Sequence, residues 1–283
     1  MADNEQVTRR HFLCGATATI AGISLFDSGT ISQERETGLI KALNDPNIVH
    51  GLVRFRSGTE TVDGYLSHPK AAGRYSVVIV VPGNTISEEY IANTTAILAQ
   101  AGFVGLAPNI FSLQTDSMSP EQKREVFTTK ITDEHVFGDI QAGIDYLKEQ
   151  PFVEHGRIGI AGFCFGGRVA LLFAARSDQV GAVVPFYGTL RLPAEANHPL
   201  SPLDVANRIK APVQGHYALK DSGIRQSDVQ ELFKILRSQD TPAELYNYDA
   251  EHGFFAYTRP VYNDAAAKLS RNRMLDFFKR YLK

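Results

Sequence analysis

The hexad Gly162-Phe163-Cys164-Phe165-Gly166-Gly167 constrains this chain more than any other stretch. The apolar run Arg157-Ile158-Gly159-Ile160-Ala161 precedes it and reads as a strand. Arg168-Val169-Ala170-Leu171-Leu172-Phe173-Ala174-Ala175 follows and reads as a buried helix. A strand that passes straight into a helix around one central residue must turn sharply, and only small neighbours leave room for that turn. The glycines supply the room. The helix start offers free N–H groups and the positive end of its dipole. Both that helix start and a partnered imidazolium favour the thiolate form of a cysteine. Cys164 is therefore a candidate nucleophile, although the hexad alone also fits a glycine-rich turn around an inert, buried thiol.

Downstream residues separate these readings. A nucleophile on such a turn needs an acid and then a histidine, each just past the end of a strand. Ala211 to Leu219 reads as a strand, with Asp221 after it. Ala243-Glu244-Leu245-Tyr246-Asn247-Tyr248 reads as the next, with His252-Gly253-Phe254 after it. The gap of 31 positions (252 − 221) holds one helix and one strand. That helix, Arg225 to Ser238, carries Val229, Leu232, Phe233 and Leu236 on one face. The order Cys164, Asp221, His252 is the one required.

From about Val49 to Leu282 the chain resembles the dienelactone hydrolases. The cysteine in Gly-x-Cys-x-Gly-Gly carries the resemblance, with Asp221 after Leu219-Lys220, the His252-Gly253-Phe254 step, and Ala101-Gly102-Phe103 leading to Ala107-Pro108-Asn109. It implies an α/β-hydrolase fold, a mostly parallel sheet with helices on both faces. It implies Cys164, Asp221 and His252 as the triad of an enzyme that cleaves an ester or lactone through an acyl-enzyme. The oxyanion hole would be the N–H groups of Phe165 and of Asn84, which follows the strand Val77 to Val81. Two positions depart from the family. Gly83 stands where its best-studied members carry a glutamate beside the thiol, and Ala256 stands where they carry an arginine for a substrate carboxylate. Glu88 and Glu89 fall on the following helix, as poor substitutes. Arg259 is near Ala256 without being equivalent. Tyr187 and Tyr217 end strands on the candidate face and are expected, with Arg259, as substrate contacts. Rival readings are acyl transfer or thioester cleavage by the same triad, or an exported binding protein with a decayed site.

The amino end carries Thr8-Arg9-Arg10-His11-Phe12-Leu13, which resembles a twin-arginine export signal. Phe12 to Phe26 is apolar and 15 residues long, too short to span a membrane with confidence and right for a signal core. The reading makes residues 1–32 a signal or anchor with linker, and 33–283 a single catalytic domain. It implies the twin-arginine export machinery as a partner. It places the protein in the periplasm or outside the cell, or on the membrane through an uncleaved N-terminal segment.

Composition narrows the partners. The chain has 283 residues with a net charge of −2 and no basic run, which argues against nucleic acid. About 250 residues after the signal suit one α/β domain with a large core. Of the two cysteines Cys14 lies in the signal, so a mature chain keeps only Cys164. The remaining histidines, His50, His68, His135, His155, His198 and His216, show no metal-ligand spacing, and no cofactor or metal is expected. His216 reads as a hydrogen-bonded structural histidine.

The rest of the chain alternates strands and helices. Val49 to Phe55 and Thr61 to Leu66 alternate as a hairpin around Ser57-Gly58-Thr59. Ser76 to Val81 and Val180 to Tyr187 are continuous apolar runs typical of buried parallel strands. Ser87 to Ala101 reads as a helix. Val136, Ile140, Ile144 and Leu147 recur at helical spacing over residues 132–149. Residues 112–125 read as a polar excursion capping the site and 188–204 as a loop. Leu269 to Tyr281 reads as an amphipathic helix.

Overall fold

The computed structural model of the protein describes residues 40–83, 88–115, 117–192 and 197–283. The proposed signal, residues 1–32, lies outside the described residues, as does Asn84.

After a short 3-10 turn, Ile40–Asn44, the chain forms the hairpin β1 (Ile48–Ser57) and β2 (Glu60–Pro69). Gly58 sits at its tip with φ +57°, a conformation that glycine adopts without a Cβ penalty. Six strand–helix units follow. They begin β3 (Val77–Val81), α1 (Glu89–Gln100), β4 (Val104–Pro108), α2 (Pro120–Thr129) and α3 (Asp133–Lys148). They continue β5 (Ile158–Phe163), α4 (Phe165–Ala174), β6 (Val180–Phe186), the short α5 (Pro202–Val205) and β7 (Val213–Ala218). The end of the chain is α6 (Gln226–Arg237), β8 (Ala243–Tyr248) and α7 (Asp264–Leu282).

The eight strands lie in the order β1-β2-β4-β3-β5-β6-β7-β8. β1, β2 and β4 pair antiparallel, and every pairing from β4 to β8 is parallel. Parallel strands need cover on both faces, and β3, β4, β5, β6 and β7 are buried along their whole length. Neighbouring positions of β4 show the two layers. Gly105 abuts the backbone of Thr95 in α1, whereas Leu106 reaches Gly143 of α3 on the other face. The helix faces match the sequence pattern: Val136, Ile140, Ile144 and Leu147 of α3 are buried, as are Val229, Leu232, Phe233 and Leu236 of α6.

Two sequence readings need correction. The excursion at 112–125 runs into the helix α2, which starts at Pro120 behind a capping box. Ser119 accepts from the Gln122 N–H, and the Ser119 N–H donates to the Gln122 side chain. The loop 188–204 carries the one-turn helix α5 at its end, again behind a Ser-Pro start.

Candidate active site

The sequence Gly-Phe-Cys-Phe-Gly-Gly folds as a strained turn. Cys164 follows β5 directly and caps α4 with φ 54° and ψ −117°, a region costly for any residue with a side chain. The neighbouring glycines are obligatory. A Cβ on Gly162 would lie 2.0 Å from the Gly166 carbonyl oxygen, and one on Gly166 would lie 2.1 Å from that of Val81. The Cys164 N–H donates to the Phe186 carbonyl at 3.1 Å, tying the turn to β6. Phe165 is the first residue of α4, so its N–H belongs to the set without an acceptor inside the helix.

The loops after β7 and β8 deliver the other two residues to the same point. Asp221 turns on itself, one carboxylate oxygen accepting from the Gly223 N–H at 2.9 Å. The other, Oδ2, lies 2.6 Å from His252 Nδ1. On the far side of the ring, His252 Nε2 lies 3.1 Å from Cys164 Sγ. The Asp221 side chain is only 2% exposed, so water does little to screen its charge from the imidazole. Burial opposes charging of His252. The Asp221 and Cys164 hydrogen bonds and the charges of both residues outweigh it, and the ring pKa rises to about 10.

A cavity of about 150 Å³ opens over Cys164 and His252, walled by Tyr90, Tyr187, Ala256 and Arg259, with Gly83 at its base. Tyr187 stands at φ 38°, its ring 5.0 Å from the His252 ring. Its phenol is fully buried, has no hydrogen-bond partner among the described residues, and is held well above its usual pKa by burial. Arg259 Nη2 donates to Glu88 Oε1 at 2.5 Å.

Of the eight residues expected from sequence, Cys164, Asp221, His252, Tyr187 and Arg259 come together here, and Phe165 lies against the nucleophile in the chain. Tyr217 does not join them. It shares a face of β7 with Gly215, where both abut each other beside Phe233 of α6, and its phenol is buried with no partner among the described residues. Side chains alternate along a strand, so the residue after His216 points away from it. His216 itself is buried and bonded to the Tyr248 hydroxyl at 2.8 Å and to Gln214 at 3.0 Å. Burial, with the Arg273 charge, lowers its pKa to about 3. It is a neutral, structural ring, as its sequence setting indicates.

A second polar group supports the elbow, and sequence reasoning missed it. Arg168, one turn past Cys164, is fully buried and grips Asp133 with both nitrogens, at 2.7 and 2.8 Å. It also donates to the Leu200 carbonyl at 2.6 Å. His198 Nδ1 joins the same carboxylate at 2.8 Å. Phe165 packs between Phe127 and His198, at centroid distances of 5.1 and 5.3 Å. The α2 helix and the loop before α5 thus meet behind Phe165, the first residue of α4. An arginine inside an otherwise apolar helix was the visible signal, because a buried guanidinium demands a carboxylate.

The chain is similar to known proteins in sequence and in fold. The sequence profile of the dienelactone hydrolase family matches residues 62–282. The chain is 33% identical over 245 residues to the "Putative carboxymethylenebutenolidase" of Salmonella typhi, covering 84% of this chain and 89% of that one. It is 34% identical over 221 residues to the "Probable 2-oxo-3-(5-oxofuran-2-ylidene)propanoate lactonase" of a Bradyrhizobium species, covering 77% and 89%. The crystal structure of a "Putative Dienelactone Hydrolase" from Klebsiella pneumoniae superposes with a TM-score of 0.77 at 32% identity, covering 83% of this chain and 99% of that one. With the α/β-hydrolase sheet and a hydrogen-bonded Cys-His-Asp line at its strand ends, the chain belongs to the dienelactone hydrolase family and is a hydrolase.

Proposed function

We propose that the protein cleaves small esters or lactones with Cys164 as nucleophile, His252 as proton carrier and Asp221 as the group that holds the ring. The observation that carries this is the unbroken line Asp221 Oδ2, His252 Nδ1, His252 Nε2, Cys164 Sγ, at 2.6 and 3.1 Å. Asp221 fixes which ring nitrogen faces the sulfur and stabilises the imidazolium. With a pKa near 10, His252 carries its second proton at neutral pH.

Sulfur adds to the substrate carbonyl, and the carbonyl π pair becomes the oxyanion. The N–H of Phe165 faces that oxygen. Asn84, proposed as the second donor, lies outside the described residues. As the tetrahedral adduct collapses, the C–O bond breaks and the leaving alkoxide takes the Nε2 proton of His252. Neutral His252 then takes a proton from water, and the hydroxide adds to the thioester. Cys164 leaves as thiolate beside the renewed imidazolium, and the acid is released. In a lactone the alcohol and the acid stay in one product.

The intact triad favours this reading over a decayed site. Cys164→Ala is expected to abolish release of p-nitrophenol from p-nitrophenyl acetate while thermal unfolding stays within a few degrees of the parent. Unchanged turnover in that variant would overturn the assignment. The leader and its export remain a proposal about residues 1–32.

A further inference from the structure

The cavity wall carries a charge arrangement that the triad does not use. Among the described residues lining it, Arg259 is the one cation outside the triad. An unpaired arginine there would attract an anionic substrate. Arg259 is instead neutralised: its Nη2 donates to Glu88 Oε1 at 2.5 Å, and Glu88 is the less exposed partner, at 18% against 42%. Glu88 stands at the N-cap of α1, but its side chain does not cap that helix. Its carboxylate turns to Arg259 instead and also bears on the Tyr90 phenol of the cavity wall. Tyr90 and Tyr187 share the electrostatic surroundings of this pair and of Cys164, so the pair acts on the cavity itself. The remaining wall is small and uncharged: Gly83, Gly253 and Ala256.

We infer that the Glu88–Arg259 pair is a specificity element: it holds the acyl cavity at zero net charge, so the site takes short, uncharged acyl groups and disfavours substrates with a free carboxylate. This rests on the ester-hydrolase reading above and narrows its substrate class. The buried Tyr187 hydroxyl, with no partner among the described residues, is the donor left for an uncharged oxygen of such a substrate.

Two measurements on the full-length protein with Cys14→Ser, which leaves Cys164 the sole thiol, test the inference. The first needs no turnover: the rates at which iodoacetate and iodoacetamide alkylate Cys164. Glu88→Gln can still accept the Arg259 hydrogen bond but frees its charge. The iodoacetate-to-iodoacetamide ratio should rise about tenfold, and Arg259→Gln should lower it by a similar factor. A purely structural pair would slow or speed both reagents together and leave the ratio within about twofold of the parent, which would overturn the inference. The second is kcat/KM for p-nitrophenyl acetate against mono-p-nitrophenyl succinate. The parent should prefer the neutral ester at least about tenfold, and Glu88→Gln should narrow the gap. A parent that prefers the anionic ester would also overturn it. No hydrolysis of either ester, with the alkylation ratios moving as stated, would count against the hydrolase reading and leave the charge assignment standing.

Discussion

A Cβ on Gly83 would lie 2.9 Å from the Cβ of Cys164 and 2.8 Å from the Phe163 carbonyl oxygen. The turn after β3 therefore lies in van der Waals contact with Cys164, and the backbone leaves no space there for a side chain. Gly83, expected from the sequence to stand where the best-studied family members carry a glutamate, has no room for one. The thiol has His252 as its hydrogen-bonded partner.

Gly83→Ala should therefore be costly at both levels. The obstacle is partly backbone, which cannot swing aside, so overpacking should destabilise the fold by about 1–3 kcal/mol. The same push displaces Cys164 from His252, and kcat should fall more than KM changes. Urea unfolding midpoints and steady-state kinetics check the two effects separately. A variant as stable and active as the parent would show that the turn is softer than its contacts indicate.

His252 gives the fold a pH dependence of definite sign. Its pKa is 6.5 as an ordinary histidine and about 10 in the fold, against the opposition of burial and through Asp221 and Cys164. A raised pKa means the native state binds the proton more tightly. The stabilisation is complete below about pH 6.5 and is lost as pH rises toward about 10. The stability difference between the parent and His252→Gln should be larger near pH 6 than near pH 10. Denaturant titrations of both proteins at the two pH values measure it, and a difference that grows with pH would contradict the assignment.

The buried Arg168–Asp133 pair predicts a large effect far from substrate. Asp133→Ala leaves a fully buried guanidinium without its carboxylate, which should cost about 3–5 kcal/mol. It also removes the acceptor of His198 Nδ1, which packs on Phe165. Ester hydrolysis should drop in the folded fraction as well, because the Phe165 N–H loses its backing. Calorimetry together with activity per folded molecule separates the two contributions.

The export proposal has its own test. Replacing Arg9 and Arg10 by lysine should retain the protein in the cytoplasm, read by fractionation of the cells. Normal export of that variant would remove the twin-arginine reading.

The candidate site was legible in the sequence because it sits at strand ends, where chain order and local residue type coincide. The Gly-rich turn marked Cys164, and the strands 213–218 and 243–248 delivered Asp221 and His252 in the order the geometry requires. Contacts between distant segments were not legible. Arg259 meets Glu88 across 171 positions, and Arg168 meets Asp133 across 35. Nothing local marks either partner. Tyr217 failed for a smaller reason. Its place at a strand end suggested the site, but a shift of one residue along a strand reverses the face. Counting from His216, which packs on Phe186 at a centroid distance of 4.5 Å, gives the correct side. The helix α2 was foreshadowed by Ser119-Pro120-Glu121-Gln122, a capping sequence with proline at the first helical position, hidden because its body carries few apolar residues.

The central claim, that Cys164 forms the acyl-enzyme, is tested most directly by acid-quenching the protein milliseconds after mixing with p-nitrophenyl acetate and mapping the acetyl group by peptide mass. A burst of p-nitrophenol approaching one equivalent is expected, with acetyl on the peptide that contains Cys164 and neither in Cys164→Ala. An acetyl group on any other residue, or a burst that survives in Cys164→Ala, would contradict it.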